Sequence, residues 1–429
     1  MKAMINSFRF LSGLAALLAL LSGGVTGARA ERFYLDITAQ DVRKVMVAVP
    51  WFSGDAAQGK QMAGLLAKAL EFHGFIQVVD PARHGGGSEA DWKGLGVDYV
   101  IIGRYETAAS GMMVEGRLLD VAEDEVRFGR RFRGTVQQQD DMVLRLCDAI
   151  IEEFTGEPGI SRSRLAYVSD ASGRKEAYVA DALGLGHRQI TRHNHLVVSP
   201  RFLPDGIHLS YSSYHTGNQN LYLTDLRQDK VTQAISRRKG MNLAPAWSPD
   251  GRSMILTLSK DGSPDLYLMD RQGNIKERLT SNAGINVSPS FSPDGGSIAF
   301  VSDRSGTPQV YLMDMATRQS RRLTFEGREN TEPAWSPKGD LIAFTGRKDG
   351  AYQIFTINPN DPSSQRQLTT GWGDCESPTW SPDGRQIAFS RRGENRQQIW
   401  AMMKDGRELR LLYNLKGNQS YPQWTGPME

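Results

Sequence analysis

Ser288-Pro289-Ser290-Phe291-Ser292-Pro293-Asp294-Gly295-Gly296-Ser297-Ile298-Ala299-Phe300-Val301 fits a strand, a turn and a second strand into one short run. Pro293 presets φ for the second position of the turn. Asp294 can bond back to nearby amides, and Gly295 takes the positive φ that ends it. Working outward, the same pattern returns on both sides. Aligned on Phe202, Trp247, Phe291, Trp335, Trp380 and Trp424, the steps are 45, 44, 44, 45 and 44 residues. Each aromatic has a proline two residues earlier: Pro200, Pro245, Pro289, Pro333, Pro378 and Pro422. Turn tetrapeptides follow at Leu203-Pro204-Asp205-Gly206, Ser248-Pro249-Asp250-Gly251, Ser336-Pro337-Lys338-Gly339 and Ser381-Pro382-Asp383-Gly384.

Further ladders run in step. Tyr167, Tyr211, Leu256, Phe300, Phe344 and Phe389 end one set of apolar segments, and Tyr178, Tyr222, Tyr267, Tyr311, Phe355 and Trp400 lie inside another. A weaker ladder closes units at Ile190-Thr191, Leu279-Thr280, Leu323-Thr324 and Leu368-Thr369. Four short strands per unit of this length make one propeller blade. Helical repeats would instead space apolar residues at 3.6. The ladders predict a six-bladed β-propeller over 157–429. The strand Tyr421-Pro422-Gln423-Trp424 has no second strand after it, while Tyr167 precedes the first Pro-x-aromatic strand. The C-terminal strand is therefore expected to complete the blade begun at about Arg164 and to close the ring.

Residues 31–156 lack the repeat and predict a small α/β domain. Val45–Val49, Phe75–Val79 and Val97–Ile102 read as strands, and 112–121 with 126–134 as a hairpin. Helices are expected over 58–73 and 140–154, the second turning Val143, Leu146, Cys147, Ile150, Ile151 and Phe154 inward. The fold class is thus an α+β N-terminal domain, a mixed sheet with helices, followed by an all-β six-bladed propeller. His84-Gly85-Gly86-Gly87-Ser88 lacks the Lys-Ser/Thr of a phosphate-binding loop and reads as a flexible loop.

Residues 1–30 have the form of a cleavable signal peptide. Lys2 and Arg9 precede an apolar run from Phe10 to Leu21, and Ala28-Arg29-Ala30 has the small-x-small pattern of a cleavage site. The run is short for a membrane span, so export without membrane insertion is expected. Losing Lys2, Arg9 and Arg29 takes the formal charge from +3 to zero. That leaves no field for nucleic acid. Cys147 and Cys375 fall in different predicted domains, which argues against a disulfide framework or a Cys-rich metal site.

Residues able to support catalysis are sparse. The chain has no Gly-x-Ser-x-Gly elbow. His193-x-His195 is the one His pair at ligand-like spacing, but no third ligand is evident and surface histidines are the favoured reading. Asp181, Asp225, Asp270 and Asp314 recur in register, which marks a structural role in the turns, and Asn358 and Met403 replace them in later blades. No enzyme, metal or cofactor is expected. In a propeller, function lies where repeats differ. The stretches before the Pro-x-aromatic strands vary most: 195–198, 241–244, 285–288, 330–332 and 374–377. They are expected to gather at one mouth of the central channel as a partner-binding face, although ordinary loop variability accounts for the same pattern equally well.

The chain resembles the TolB family of periplasmic propellers of the Tol–Pal system. Glu31-Arg32-Phe33-Tyr34-Leu35-Asp36-Ile37, Pro50-Trp51-Phe52, Gly94-Leu95-Gly96-Val97-Asp98-Tyr99-Val100, Phe154-Thr155-Gly156 and the blades carry the resemblance. It implies a monomeric, non-enzymatic periplasmic scaffold that supports outer-membrane integrity and envelope constriction at cell division. It implies two partners. Pal, the peptidoglycan-associated lipoprotein, would dock at the propeller mouth on Met241, Asn242, Ala244, Val287, Ser288, Thr331 and Glu332. The chain departs from the family here: a His-Asn-Gly-Ala run is Met241-Asn242-Leu243-Ala244, and a Thr-Glu pair is Val287-Ser288. TolA would take the arm from Glu31 through Arg32, Phe33, Tyr34, Leu35, Asp36 and Ile37 to about Val42. Phe33, Leu35 and Ile37 alternate as a strand added to a partner's sheet would. The same alternation suits an edge strand of the chain's own domain. The competing reading is an exported propeller acting as a ligand sensor or hydrolase accessory.

Overall fold

The computed structural model describes residues 43–426 apart from 110, 229–231, 282–283 and 372. The leader and the arm from Glu31 to Val42 lie outside the described residues. The N-terminal domain runs β1 (Val45–Ala48), α1 (Ala56–Phe72), β2 (Ile76–Val78), β3 (Tyr99–Ala108), β4 (Gly111–Asp120), β5 (Glu125–Gly134) and α2 (Gln139–Thr155). Its sheet has the order β2-β1-β3-β4-β5, with β1 parallel to both neighbours and the rest antiparallel. Asp55 starts α1 by accepting the Ala57 and Gln58 amides at 3.1 and 3.0 Å. Gly156, at φ 75°, stops α2. Gly59 lets α1 lie against the chain, since a Cβ there would sit 2.1 Å from the Phe52 carbonyl oxygen. The inward set expected for α2 is buried, together with Met142 and Leu144. Among the described residues no helix is long and apolar enough to cross a membrane.

Two local expectations change. The strand expected over 97–102 extends to Ala108, because Gly103 and Tyr105 continue the buried face while Arg104 and Glu106 alternate outward. The glycine loop is packed. The Trp51 amide donates to the Gly86 carbonyl at 2.9 Å, and the His84 and Trp92 rings lie 5.2 Å apart.

Six four-stranded sheets form the propeller. Their inner strands are Val197–Phe202, Asn242–Trp247, Asn286–Phe291, Asn330–Trp335, Cys375–Trp380 and Gln419–Thr425. The two aromatic ladders face each other across second and third strands, as in Tyr167 with Tyr178, Phe300 with Tyr311 and Phe389 with Trp400. The last inner strand pairs with Arg164–Ser169, so the first blade is made from both ends of the propeller sequence. The recurrent aspartates cap the turn after the third strand: Asp270 accepts the Gln272 and Asn274 amides at 3.0 and 2.8 Å, and Asp314 accepts those of Ala316 and Thr317 at 3.0 and 2.7 Å. Asn358 does the same for Asn360 at 2.8 Å.

The threonine ladder belongs to a buried clamp that the sequence pattern concealed. Thr280 Oγ1 accepts the Leu266 amide at 3.0 Å and donates to Asp265 at 2.8 Å; Asp265 also accepts Asn286 Nδ2, from the next blade, at 3.0 Å. Thr324, Gln309 and Asn330 repeat the arrangement one blade later. Each clamp ties strands three and four of one blade to the inner strand of the next.

The N-terminal domain and the propeller share one core, which runs from Leu66, Phe72 and Ile150 to Tyr167, Ala388 and Trp424. Phe72 O accepts from Gln386 and Arg410 at 3.1 and 3.0 Å, the Phe72 and Trp424 rings are 5.9 Å apart, and Glu157 pairs with Lys338 and Arg385. His73, 1% exposed, lies in this junction. Its Nδ1 is 2.9 Å from Ala69 O and its Nε2 accepts the Ile160 amide at 3.0 Å, a pattern only the neutral Nδ1–H tautomer satisfies. Burial pushes its pKa down to about 4, against the pull of Asp383. A folded pKa below the unfolded one gives stability that is complete above pH ~6.5 and is lost as pH falls through the folded value. Asp148, beside the same segment, is pushed up to about 6 by burial, which gains stability over the same acid interval. The two offset each other in the wild type, so a difference measurement is needed. The stability difference between wild type and His73→Gln is expected to shrink by on the order of 3 kcal/mol from pH 7 to pH 4. A difference that stays flat across that range would contradict the assignment.

Candidate functional site

The channel has two unlike ends. The partners of the N-terminal domain and of Glu157 just after it are Lys338 and Arg385 in and after the Ser-Pro turns, Gln386 at a second-strand start, Leu183 and Met403 at third-strand ends, and Trp424 near the end of an inner strand. In an antiparallel blade all of these lie at one end. The stretches that lead into the inner strands lie at the other, away from these contacts.

At that end every inner strand carries the same irregularity. Ser199, Ala244, Ser288, Glu332, Ser377 and Tyr421 have φ between 51° and 57°, and each precedes the strand's proline. Pairing skips the two residues together: Leu243 pairs with Thr257 and Ala246 with Ile255, leaving Ala244 and Pro245 opposite Leu256. The same bulge occurs in the other five blades. Proline has no N–H for a ladder, so inside a strand it needs such a break. The bulge re-aims the residue before proline into the channel. A central cavity of about 640 Å³ is lined by all six of these residues.

The expected Pal-face residues divide into two groups. Met241, Ala244, Val287, Ser288, Thr331 and Glu332 are partly exposed along the mouth and channel wall. Asn242 is fully buried. Its Nδ2 donates to the carbonyls of Gln219, Arg238 and Gly240, and its Oδ1 accepts from Ser236 at 2.5 Å. Asn242 therefore shapes the loop from inside and presents no side chain to a partner. Glu332 accepts from the Ser377 amide, Ser377 Oγ and Thr345 Oγ1 at 2.8, 3.0 and 3.0 Å, so its carboxylate is held on the wall. Beside it, burial and then Glu332 push the Glu376 carboxyl up.

Sequence reading missed the apolar rim. Leu196, Tyr214, Ile285 and Phe325 are exposed in the loops and hairpin of this end, Phe325 by 61% and Ile285 by 46%. Large apolar side chains exposed around a concave mouth are candidates for a docking surface. The periodic signal reports the repeated core, whereas these residues stand where the repeat lapses. Of the two histidines expected at the surface, His195 is exposed and His193 is half-buried. His193 lies against His215, ring centroids 4.1 Å apart, and the Ser213 hydroxyl sits 2.8 and 3.0 Å from their Nδ1 atoms. The hairpin Ser213–Gln219 folds back over the loop, which sequence spacing cannot reveal. Among the described residues no group of three or more His, Cys, Asp or Glu is arranged to hold a metal.

The chain matches the family described as TolB beta propeller domain over residues 151–428 and the TolB amino-terminal domain over residues 33–126. It is 50% identical over 266 residues to the Tol-Pal system protein TolB of Desulfotalea psychrophila, covering 60% of this chain and 61% of that protein. With the Desulfosudis oleivorans protein of the same name it shares 36% over 268 residues, 58% of this chain and 61% of that one. These matches thus span about three fifths of the relatives' length. The crystal structure of TolB from Acinetobacter baumannii superposes with a TM-score of 0.80 at 28% identity, covering 90% of this chain and 97% of that one.

Proposed function

The chain belongs to the TolB family, and from that membership we propose that it is a non-catalytic periplasmic scaffold of the Tol–Pal system. In this reading Pal docks over the open channel mouth and TolA takes the arm Glu31–Ile37, together linking inner-membrane energy to outer-membrane anchoring during envelope constriction. The observation that carries the reading is the polarity of the propeller. One end carries the packing against the N-terminal domain, and the other presents the irregular loops, where Leu196, Tyr214, Ile285 and Phe325 are exposed. Of these, Tyr214 is of a type enriched at interface hot spots. The relatives are named as Tol-Pal system proteins, which supports partners within that system.

The test is binding of the purified chain to the Pal and TolA domains of the same organism. Ile285→Asp with Phe325→Asp, both at exposed positions, is expected to weaken Pal at least ~30-fold and leave TolA unchanged. Deleting Glu31–Asp36 is expected to abolish TolA binding while Pal persists. Wild-type chain that ignores Pal would overturn the reading, and loss of both partners on deleting the arm would overturn the separation of sites.

A further inference from the structure

Two residues beyond each bulge, the inner strands place Arg201, Ala246, Ser290, Ala334, Thr379 and Gln423 on the wall of the same cavity. Three of these side chains have a task in the ring. Gln423 accepts the Phe202 amide at 2.6 Å, Thr379 the Trp424 amide at 3.1 Å and Ser290 the Trp335 amide at 3.0 Å, each stitching neighbouring blades. Arg201 can accept nothing and takes no part. Its guanidinium donates one hydrogen bond, to the adjoining Pro200 carbonyl at 2.9 Å, and pairs with no carboxylate among the described residues. Arg201 is the one cation among the cavity-lining residues, and Glu332 is the one carboxylate. Their strands are three apart in a ring of six and so face each other across the channel. Burial pushes the Arg201 guanidinium down, with Glu332 and Tyr421 acting against it.

A half-buried cation whose hydrogen-bonding fork is idle on a cavity wall is open to an acceptor entering that cavity. The fork geometry matches a planar two-oxygen acceptor. A singly charged group fits better than a phosphate, because Glu332 repels added negative charge from the opposite wall. We propose that Arg201 makes the propeller channel a receptor for one carboxylate group, entering from the open mouth. The carboxylate has two possible sources, a free small acid or an acidic side chain of the protein docked over the mouth. The second source rests on the function proposed above and the first does not.

The experiment uses the full mature chain, its Arg201→Gln variant and the charge-conserving Arg201→Lys. Propionate, the side-chain acid of glutamate, is titrated against sodium chloride at matched ionic strength. Tryptophan fluorescence reports the binding, since Trp247, Trp335 and Trp380 line the same cavity. Affinity for the Pal domain is measured in parallel. A saturable propionate signal that Arg201→Gln removes establishes a free-acid site. A silent propionate titration with Pal affinity reduced at least ~10-fold in Arg201→Gln, and less in Arg201→Lys, assigns the carboxylate to the docked protein. If Arg201→Gln does not fold, Arg201→Lys decides, because it keeps the charge and loses the fork. If wild-type chain does not bind Pal, the docking function fails and the propionate arm alone decides. Affinity for both ligands independent of residue 201 overturns the proposal.

Discussion

A chain ending at Asn418 is expected to lose cooperative folding of the propeller and the N-terminal domain together. The strand Gln419–Thr425 removed by this truncation pairs with Arg164–Ser169 and fills the first blade's inner position. Without it, that blade exposes an unpaired edge to the channel and the ring has a gap between two neighbours. Trp424 adds a second link. Its Nε1 donates to Ser163 Oγ at 2.8 Å, its amide donates to Thr379 at 3.1 Å, and its ring lies 5.9 Å from that of Phe72 in α1. The side chain is 4% exposed within the core that both domains share. Trp424→Ala alone should cost about 3–5 kcal/mol. The truncation should exceed that, which leaves little of a typical domain's stability of ~5–15 kcal/mol. Calorimetry is the measurement. A single broad transition or an insoluble product is expected for the truncated chain. A propeller transition unchanged in temperature and enthalpy would show that the ring closes by other contacts.

The fold was largely legible because a propeller writes its core once per blade. Tyr167, Tyr211, Leu256, Phe300, Phe344 and Phe389 are all essentially buried, and their 44- or 45-residue spacing alone gives blade number and register. The turn aspartates were legible as structural for the same reason. The site was less so. The prolines at 200, 245, 289, 333, 378 and 422 were visible, but the left-handed residue before each was not, since none of the six is glycine. Asn242 stands in the expected loop with its side chain buried. Its burial follows from a hairpin carbonyl at Gln219 and from Arg238, contacts that depend on three-dimensional closure of the loop. His193 meets His215 across a hairpin, not its sequence neighbour. Arg201 could have been found by aligning the repeats, because the equivalent positions hold Ala, Ser, Ala, Thr and Gln.

Asp265→Ala is expected to destabilise the propeller by about 3–5 kcal/mol, the cost of removing one partner from a buried charged network. The carboxylate is fully buried and accepts from Thr280 Oγ1, Asn286 Nδ2 and Arg278, at 2.8, 3.0 and 2.6 Å. Alanine would leave two buried donors, Thr280 Oγ1 and Asn286 Nδ2, facing a void at the seam between two blades. The midpoint of thermal unfolding should fall by on the order of 10 °C for a domain of this size. Asp265→Asn separates two causes. Gln309 and Gln353 do the equivalent work in later blades with a neutral amide, accepting from Thr324 and Thr369 at 2.8 and 2.7 Å. The clamp therefore needs an acceptor, not a charge. Arg278, whose side chain is 35% exposed, can turn to water when the charge is lost. Asp265→Asn should then cost about 1 kcal/mol, the scale of a partly exposed pair. If Asn proves as damaging as Ala, the ion pair with Arg278 carries the stability and the clamp does not. The seam also sets the open mouth, because Asn286 begins the inner strand that presents Val287 and Ser288. Asp265→Ala should thus weaken the proposed docking at the mouth along with stability.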